Sequence, residues 1–183
     1  ALLAASVALG GCAFLAVGGV MVGGATVASD RRPVGIQIED EAIEARVQRA
    51  LRTRFDTATS NIYSPSFNRM VLLTGQVADE ASRGEAERIA TQQENVKRVV
   101  NELRVGPVTS LGTRTSDTAV SGRVRAALLN ASDVPYGGIQ AHTESGVVYL
   151  MGRVSEAEGD AAARVAAPRR RTLRASASPR RRS

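Results

Sequence analysis

The sequence has no tryptophan, one cysteine (Cys12), one histidine (His142) and one lysine (Lys97), and aromatic residues make up only 3% of it. A single Cys and a single His exclude an intrachain disulfide, a structural zinc site and a histidine metal cluster. With so few aromatics, any core must be filled by Val, Leu, Ile and Ala, which suits two small cores better than one large one in 183 residues. Lys97 follows no glycine-rich loop, so the phosphate-cradling GxxxxGK[ST] pattern is missing, and no G-x-S-x-G nucleophile turn occurs. With no placed partner, His142 reads as a solvent-facing side chain of a strand. Asp79, Glu80, Glu156 and Glu158 read as helix-start charge rather than as an acid–base pair. These absences argue against an enzyme: no catalytic residue, metal, cofactor or small-molecule substrate is expected.

Missing charge of one sign or of both marks the two ends of the chain. Ala1 to Ser29 carry no charged residue and contain Leu9-Gly10-Gly11-Cys12, which resembles a bacterial lipobox; small residues there let a signal peptidase reach the backbone, and the thiol takes the lipid. Residues 1–11 therefore read as the end of a signal peptide, Cys12 as the lipidation site, and residues 12–38 as an anchor-proximal linker. A transmembrane helix within residues 1 to 29 and an unmodified Cys12 are the competing readings; the repeated glycines weaken the helix. Ala13 in place of an Asp after Cys12 resembles lipoproteins sorted to the outer membrane. At the other end, residues 168–183 hold seven Arg and no acid, leaving 17 basic against 18 acidic residues in the rest of the chain. The net charge of +6 thus belongs to a tail, and the body is slightly acidic.

What the chain does contain is an internal repeat. Shifted by 77 residues, Asp40 to Ala90 align with Asp117 to Ala167 without a gap, and 14 of the 51 pairs are identical. Most of the identities are apolar or glycine, among them Val47/Val124, Leu51/Leu128, Ile62/Ile139, Val71/Val148, Leu73/Leu150 and Gly75/Gly152. A duplicated core keeps such residues; a duplicated active site would keep polar ones.

In the first copy, Ile43, Val47, Ala50 and Leu51 recur at helical spacing behind Glu39-Asp40-Glu41 and before Arg52 and Arg54, which predicts a helix. Asn61 to Ser66 and Met70 to Val77 predict two strands of a hairpin, with Gly75 a bulge or close-packing point. Asp79 fits an N-cap for a helix to about Gln93, and Val96 to Val105 alternates as a last strand. The order αββαβ requires an antiparallel hairpin and a parallel crossover strand. We therefore expect an α+β chain: a first domain at 39–105, a linker at 106–116, a second domain at 117–167 and a disordered Arg-rich tail at 168–183. Each domain should be a three-stranded mixed sheet packed on two helices.

The second copy stops matching after Ala167. The positions equivalent to Val96, Val99, Val100, Leu103 and Val105 are Leu173, Ser176, Ala177, Arg180 and Arg182, so its last strand is expected to be missing. The tail composition resembles a GC-rich gene read in a wrong frame; a genuine Arg-rich tail for anionic partners is the other reading.

Two αββαβ copies with the strand signatures VLLTGQV and VYLMGRV, each followed by an acidic helix start, resemble BON domains. Together with the lipobox and the segment DRRPVGIQIEDEAIEARV, the arrangement resembles the dual-BON outer-membrane lipoproteins. That resemblance implies a protein lipid-anchored on the periplasmic face of the outer membrane, binding anionic phospholipid through its second BON domain and supporting envelope integrity. It also implies outer-membrane assembly or division-site proteins as partners, and export keeps such a protein from nucleic acid.

In the second copy's first helix, Val120, Val124, Ala127, Leu128 and Ala131 lie within about 60° of a common direction at 100° per residue and form the expected core stripe. Leu129 lies off that stripe beside Arg125, where the first copy has Arg52. An apolar Leu129 among Arg123 and Arg125, continued by Val134, Pro135 and Tyr136, suits contact with acidic headgroups. The candidate lipid-binding set is Val120, Arg123, Val124, Arg125, Leu128, Leu129, Val134 and Tyr136. Packing of Leu129 and Tyr136 against the other domain, or simple exposure, are the alternatives. A rival function is a periplasmic adaptor in which the same face meets protein.

Overall fold

The computed structural model describes residues 32–167 and 174–177. The signal-peptide and Cys12 assignments lie outside these residues, as does the rest of the tail.

The first helix, α1 (Val34–Arg54), starts at Pro33 and not at the acidic cluster. A proline there has φ already close to helical, −55°, and no N–H to leave unsatisfied. Ile43, Val47 and Leu51 are buried from it, as their spacing requires. The expected strand Asn61 to Ser66 is instead two short pieces, β1 (Asn61–Tyr63) and β2 (Ser66–Phe67). Both pair antiparallel with β3 (Met70–Val77) in one continuous register, from Asn61↔Gln76 to Phe67↔Met70. The break falls at Ser64-Pro65 because Pro65 has no N–H for the ladder; its carbonyl still accepts from Leu72 N at 3.0 Å. Gly75 is a close-packing point: its φ is +117°, and a Cβ would stand 1.8 Å from the Asn61 carbonyl oxygen. Asp79 caps α2 (Glu80–Thr91) by accepting from Ser82 N. The chain then returns as β4 (Arg98–Val105), parallel to β3 over eight residue pairs.

The second copy repeats this plan. Ser110 caps α3 (Leu111–Leu129), which begins earlier than the expected start at 117 and shortens the linker to residues 106–109. A single turn of tighter helix at Tyr136–Gly138 leads into the antiparallel pair β5 (Ile139–Glu144) and β6 (Val147–Gly152). Ser155 and Glu158 form a reciprocal capping box at the start of α4 (Glu156–Ala166).

The last strand is not missing. β7 (Arg174–Ala177) pairs parallel with β6 from Tyr149↔Arg174 to Gly152↔Ala177. The expectation failed because it assumed a constant offset of 77 residues. The helix caps are already 76 apart (Asp79 and Ser155), and the strand positions 74 apart, since Leu72 pairs with Val100 and its counterpart Tyr149 pairs with Arg174. A parallel ladder needs only backbone N–H and C=O groups, which this Arg-Ala-Ser-Ala segment supplies without large apolar side chains. It does so for four residue pairs rather than eight.

Alternate residues of each central strand face opposite ways. Val71, Leu73 and Val77 join α1 and α2 in one core; Val148 and Leu150 join α3 and α4 in another. The other faces meet each other: Phe67 and Leu72 from the first copy pack with Tyr149 and Met151 from the second. Both central strands are thus covered on both sides, which explains runs such as MVLLTGQV, apolar with almost no alternation.

Candidate functional site

The structure divides the predicted lipid-binding set into three groups. Val124, Leu128 and Val134 are buried in the second core, and Val120 packs against it. Val120, Val124 and Leu128 hold α3 to its sheet, Val134 fills the same core from the following loop, and the three buried residues cannot present their side chains to an outside surface. Ala127, expected in the core stripe, is exposed. Arg125 extends along α3 and donates from Nε (3.1 Å) and Nη2 (2.9 Å) to the carbonyl oxygen of Ala141, so its guanidinium is committed to the β5 backbone. Arg123 and Leu129 are exposed, as is Arg125 despite those bonds. Tyr136 begins the short turn before β5.

Leu129 is 63% exposed, and the structure adds a second residue like it: Leu111, at the first position of α3, is 78% exposed. They are eighteen residues apart, which is five full turns, so they lie on one side of the helix about 27 Å from each other. Within about 60° of that line come Thr115, Thr118, Gly122 and Ala126, all exposed and uncharged, and the exposed Arg114 and Arg125. The result is a helix face of mainly small residues with a leucine at each end and Arg114 and Arg125 along one edge, while the exposed Arg123 lies about 120° round the helix from the leucines. Leu111 was not legible earlier because the helix was expected to begin after it.

His142 is not solvent-facing. Its ring lies 4.2 Å from that of Tyr63 in the first copy, tilted by 33°, and only 20% of its side chain is exposed. Burial foremost, and then the charge of Arg125, lower its pKa to about 4, so the imidazole is neutral at pH 7. It lines a crevice of about 360 Å³ between the copies with Glu44, Tyr63 and Arg125. Burial pushes the Glu44 carboxyl up. Nothing in the sequence around His142 could have shown this contact, since its partner comes from a strand in the other copy.

Asp40 and Asp117 are identical across the repeat, and both carboxylates are buried. Asp40 accepts from the backbone N–H groups of Asn68 and Arg69, both at 2.7 Å, and Asp117 from those of Ser145 (2.7 Å) and Gly146 (3.0 Å). All four of those residues have positive φ. In each copy a helix carboxylate therefore clamps the left-handed tip of the hairpin. A polar identity among apolar ones was the available signal. Among the described residues no group of three or more His, Cys, Asp or Glu could hold a metal ion, and no helix is long and apolar enough to cross a membrane.

Comparison with known proteins places this geometry in context. The family profile of the BON domain matches residues 39–107 and 116–168. The chain is 33% identical over 166 residues to the outer membrane lipoprotein DolP of Haemophilus influenzae, covering 90% of this chain and 86% of that protein. It is 33% identical over 138 residues to the 21 kDa hemolysin of Actinobacillus pleuropneumoniae, covering 75% and 71%. It is also 32% identical over 146 residues to the osmotically-inducible protein Y of Escherichia coli, covering 78% and 73%.

Proposed function

The chain belongs to the BON-domain family, and from that premise we propose that it is a non-enzymatic, envelope-associated protein that binds anionic phospholipid through the outer face of α3. Cys12 serves as its lipid anchor on the periplasmic side of the outer membrane. Similarity to an outer membrane lipoprotein over most of both chains supports the location, and the Leu-Gly-Gly-Cys motif supports the anchor. The observation that carries the binding reading is the exposed pair Leu111 and Leu129 on one side of a helix that also carries the exposed Arg123. Such a face can lie along a bilayer surface, with the leucines reaching the acyl boundary and the arginine meeting headgroup phosphates.

Co-sedimentation with phosphatidylcholine vesicles, with and without phosphatidylglycerol, tests the reading. Leu129→Glu removes an apolar contact and adds a repelled charge, and Arg123→Glu reverses about 1 kcal/mol of attraction into a similar repulsion, roughly a 30-fold loss. Neither residue supports the core, so the fold should survive. Seven tail arginines would mask the effect, yet Arg174 lies in β7. Arg169, Arg170, Arg171, Arg180, Arg181 and Arg182 should therefore be replaced by Ser in the parent and in every variant, and Arg174 kept. If both variants bind anionic vesicles as well as the parent, α3 is not the lipid face and the adaptor reading takes its place.

A further inference from the structure

A second groove, of about 320 Å³, lies where the end of α1 approaches the start of α3. Its walls carry Arg52 from the first copy and Arg114 from the second, the hydroxyls of Thr57 and Ser60, and the side chains of Phe55 and Ile62; no carboxylate lines it. Arg46, Arg54, Arg83 and Arg88 all pair with glutamates, whereas Arg52 has no ion pair among the described residues. Arg114 donates only its Nε, to the Thr109 carbonyl at 3.2 Å, so its two terminal nitrogens have no described partner.

Helix electrostatics account for one of these cations and not for the other. Arg52 sits in the last turn of α1, where the helix field welcomes a positive charge. Arg114 sits one turn into α3, near the positive end of that helix, where the field disfavours it. Two guanidinium groups beside one acid-free groove are complementary to a phosphate. The half-buried apolar surfaces of Phe55 and Ile62 beside them favour an amphiphile over a free phosphate ester.

We propose that the groove between α1 and α3 is a second binding site, which takes the phosphodiester headgroup of a single glycerophospholipid molecule. The groove and the outer face of α3 meet only at Arg114, so Arg52→Gln probes the one and Leu129→Glu the other, and either assignment can fail while the other stands.

The test is a titration of the full chain with dihexanoyl phosphatidylglycerol below its micelle concentration, followed by two-dimensional amide NMR. Saturable shifts are expected at Ser60, Asn61, Ile62 and Arg114. Arg52→Gln together with Arg114→Gln should weaken this binding at least tenfold, and either single change should weaken it less. The control Arg98→Gln with Arg153→Gln removes the same charge from exposed positions outside the groove and should leave the affinity unchanged. Retained peak dispersion in the same spectra reports that each variant is folded. Equal affinity in the groove double variant, or shifts confined to other residues, overturns the site; equal affinity for glycerol 3-phosphate overturns its assignment to a lipid.

Discussion

His142 shows how one side chain makes the contact between the copies sensitive to pH. In the unfolded chain an imidazole takes up a proton near pH 6.5, but in the fold it does so only at about 4, because burial and then Arg125 oppose the charge. Below pH 6.5 the unfolded state binds more protons than the folded one, so this residue's contribution is complete above 6.5 and is lost as pH falls towards 4. Arg125, Asp117 and Glu144 are the charged groups near it. The expected outcome is a steeper loss of stability between these limits in the parent than in His142→Gln, measured by urea unfolding at several pH values. Parallel curves would show that the ring is not held neutral. The same variant removes the stack on Tyr63 and should be slightly less stable at neutral pH.

At the scale of elements, the two sheets share a plan but not a strength. β4 holds β3 through eight residue pairs, and β7 holds β6 through four. Fewer ladder bonds on one flank mean cheaper local opening. Amides of residues 147–152 should exchange with solvent at least ten times faster than those of residues 70–77. Ala175→Pro together with Ser176→Pro removes a ladder N–H whichever of the two faces β6, and should widen that gap without altering the first copy. Equal protection in the two strands, or indifference to the prolines, would mean that β7 does not hold the second sheet. Gly75 and Gly152 support the same comparison from the other flank: a Cβ at Gly152 would stand 2.9 Å from the Gly138 carbonyl oxygen, so both hairpins tolerate no side chain at this point.

Over the whole molecule, the two copies are joined by the faces of their sheets that do not meet helices. Phe67, Leu72, Tyr149 and Met151 form an apolar patch between them, and Gln76 closes its edge with hydrogen bonds to Glu144 (2.8 Å) and Ser145 (2.9 Å). Burying such side chains is worth about 1.5–3 kcal/mol each, enough to couple the unfolding of two domains that are individually small. Urea unfolding should therefore be a single transition, seen alike by probes in either copy. Tyr149→Asp puts a charge into the patch and should split the transition in two, with the second copy melting first. A parent protein that already unfolds in two steps would show that the contact does not couple the domains. Three of the six aromatic residues, Tyr63, Phe67 and Tyr149, lie at this junction, so the few large rings serve the contact between the copies.

The sequence by itself determined the α+β class, the duplication, the mixed sheets and most core positions, because helical and strand periodicities of apolar residues are local and survive in both copies. Asp79 as a cap and Gly75 as a close approach were equally readable, since each acts on residues nearby in the chain. Only the tertiary structure decided the rest. Where β7 lies depended on a register that drifts by three residues across the repeat, and a gapless alignment cannot show drift. Arg125 had the right direction on the helix, but its long side chain turns back to a carbonyl that only folding brings near. Leu111 became part of the outer face once the proximity of the two copies left a short linker and a longer helix. The groove of Arg52 and Arg114, like the burial of His142, exists because the copies pack together, and no periodicity within one copy encodes how it will meet another.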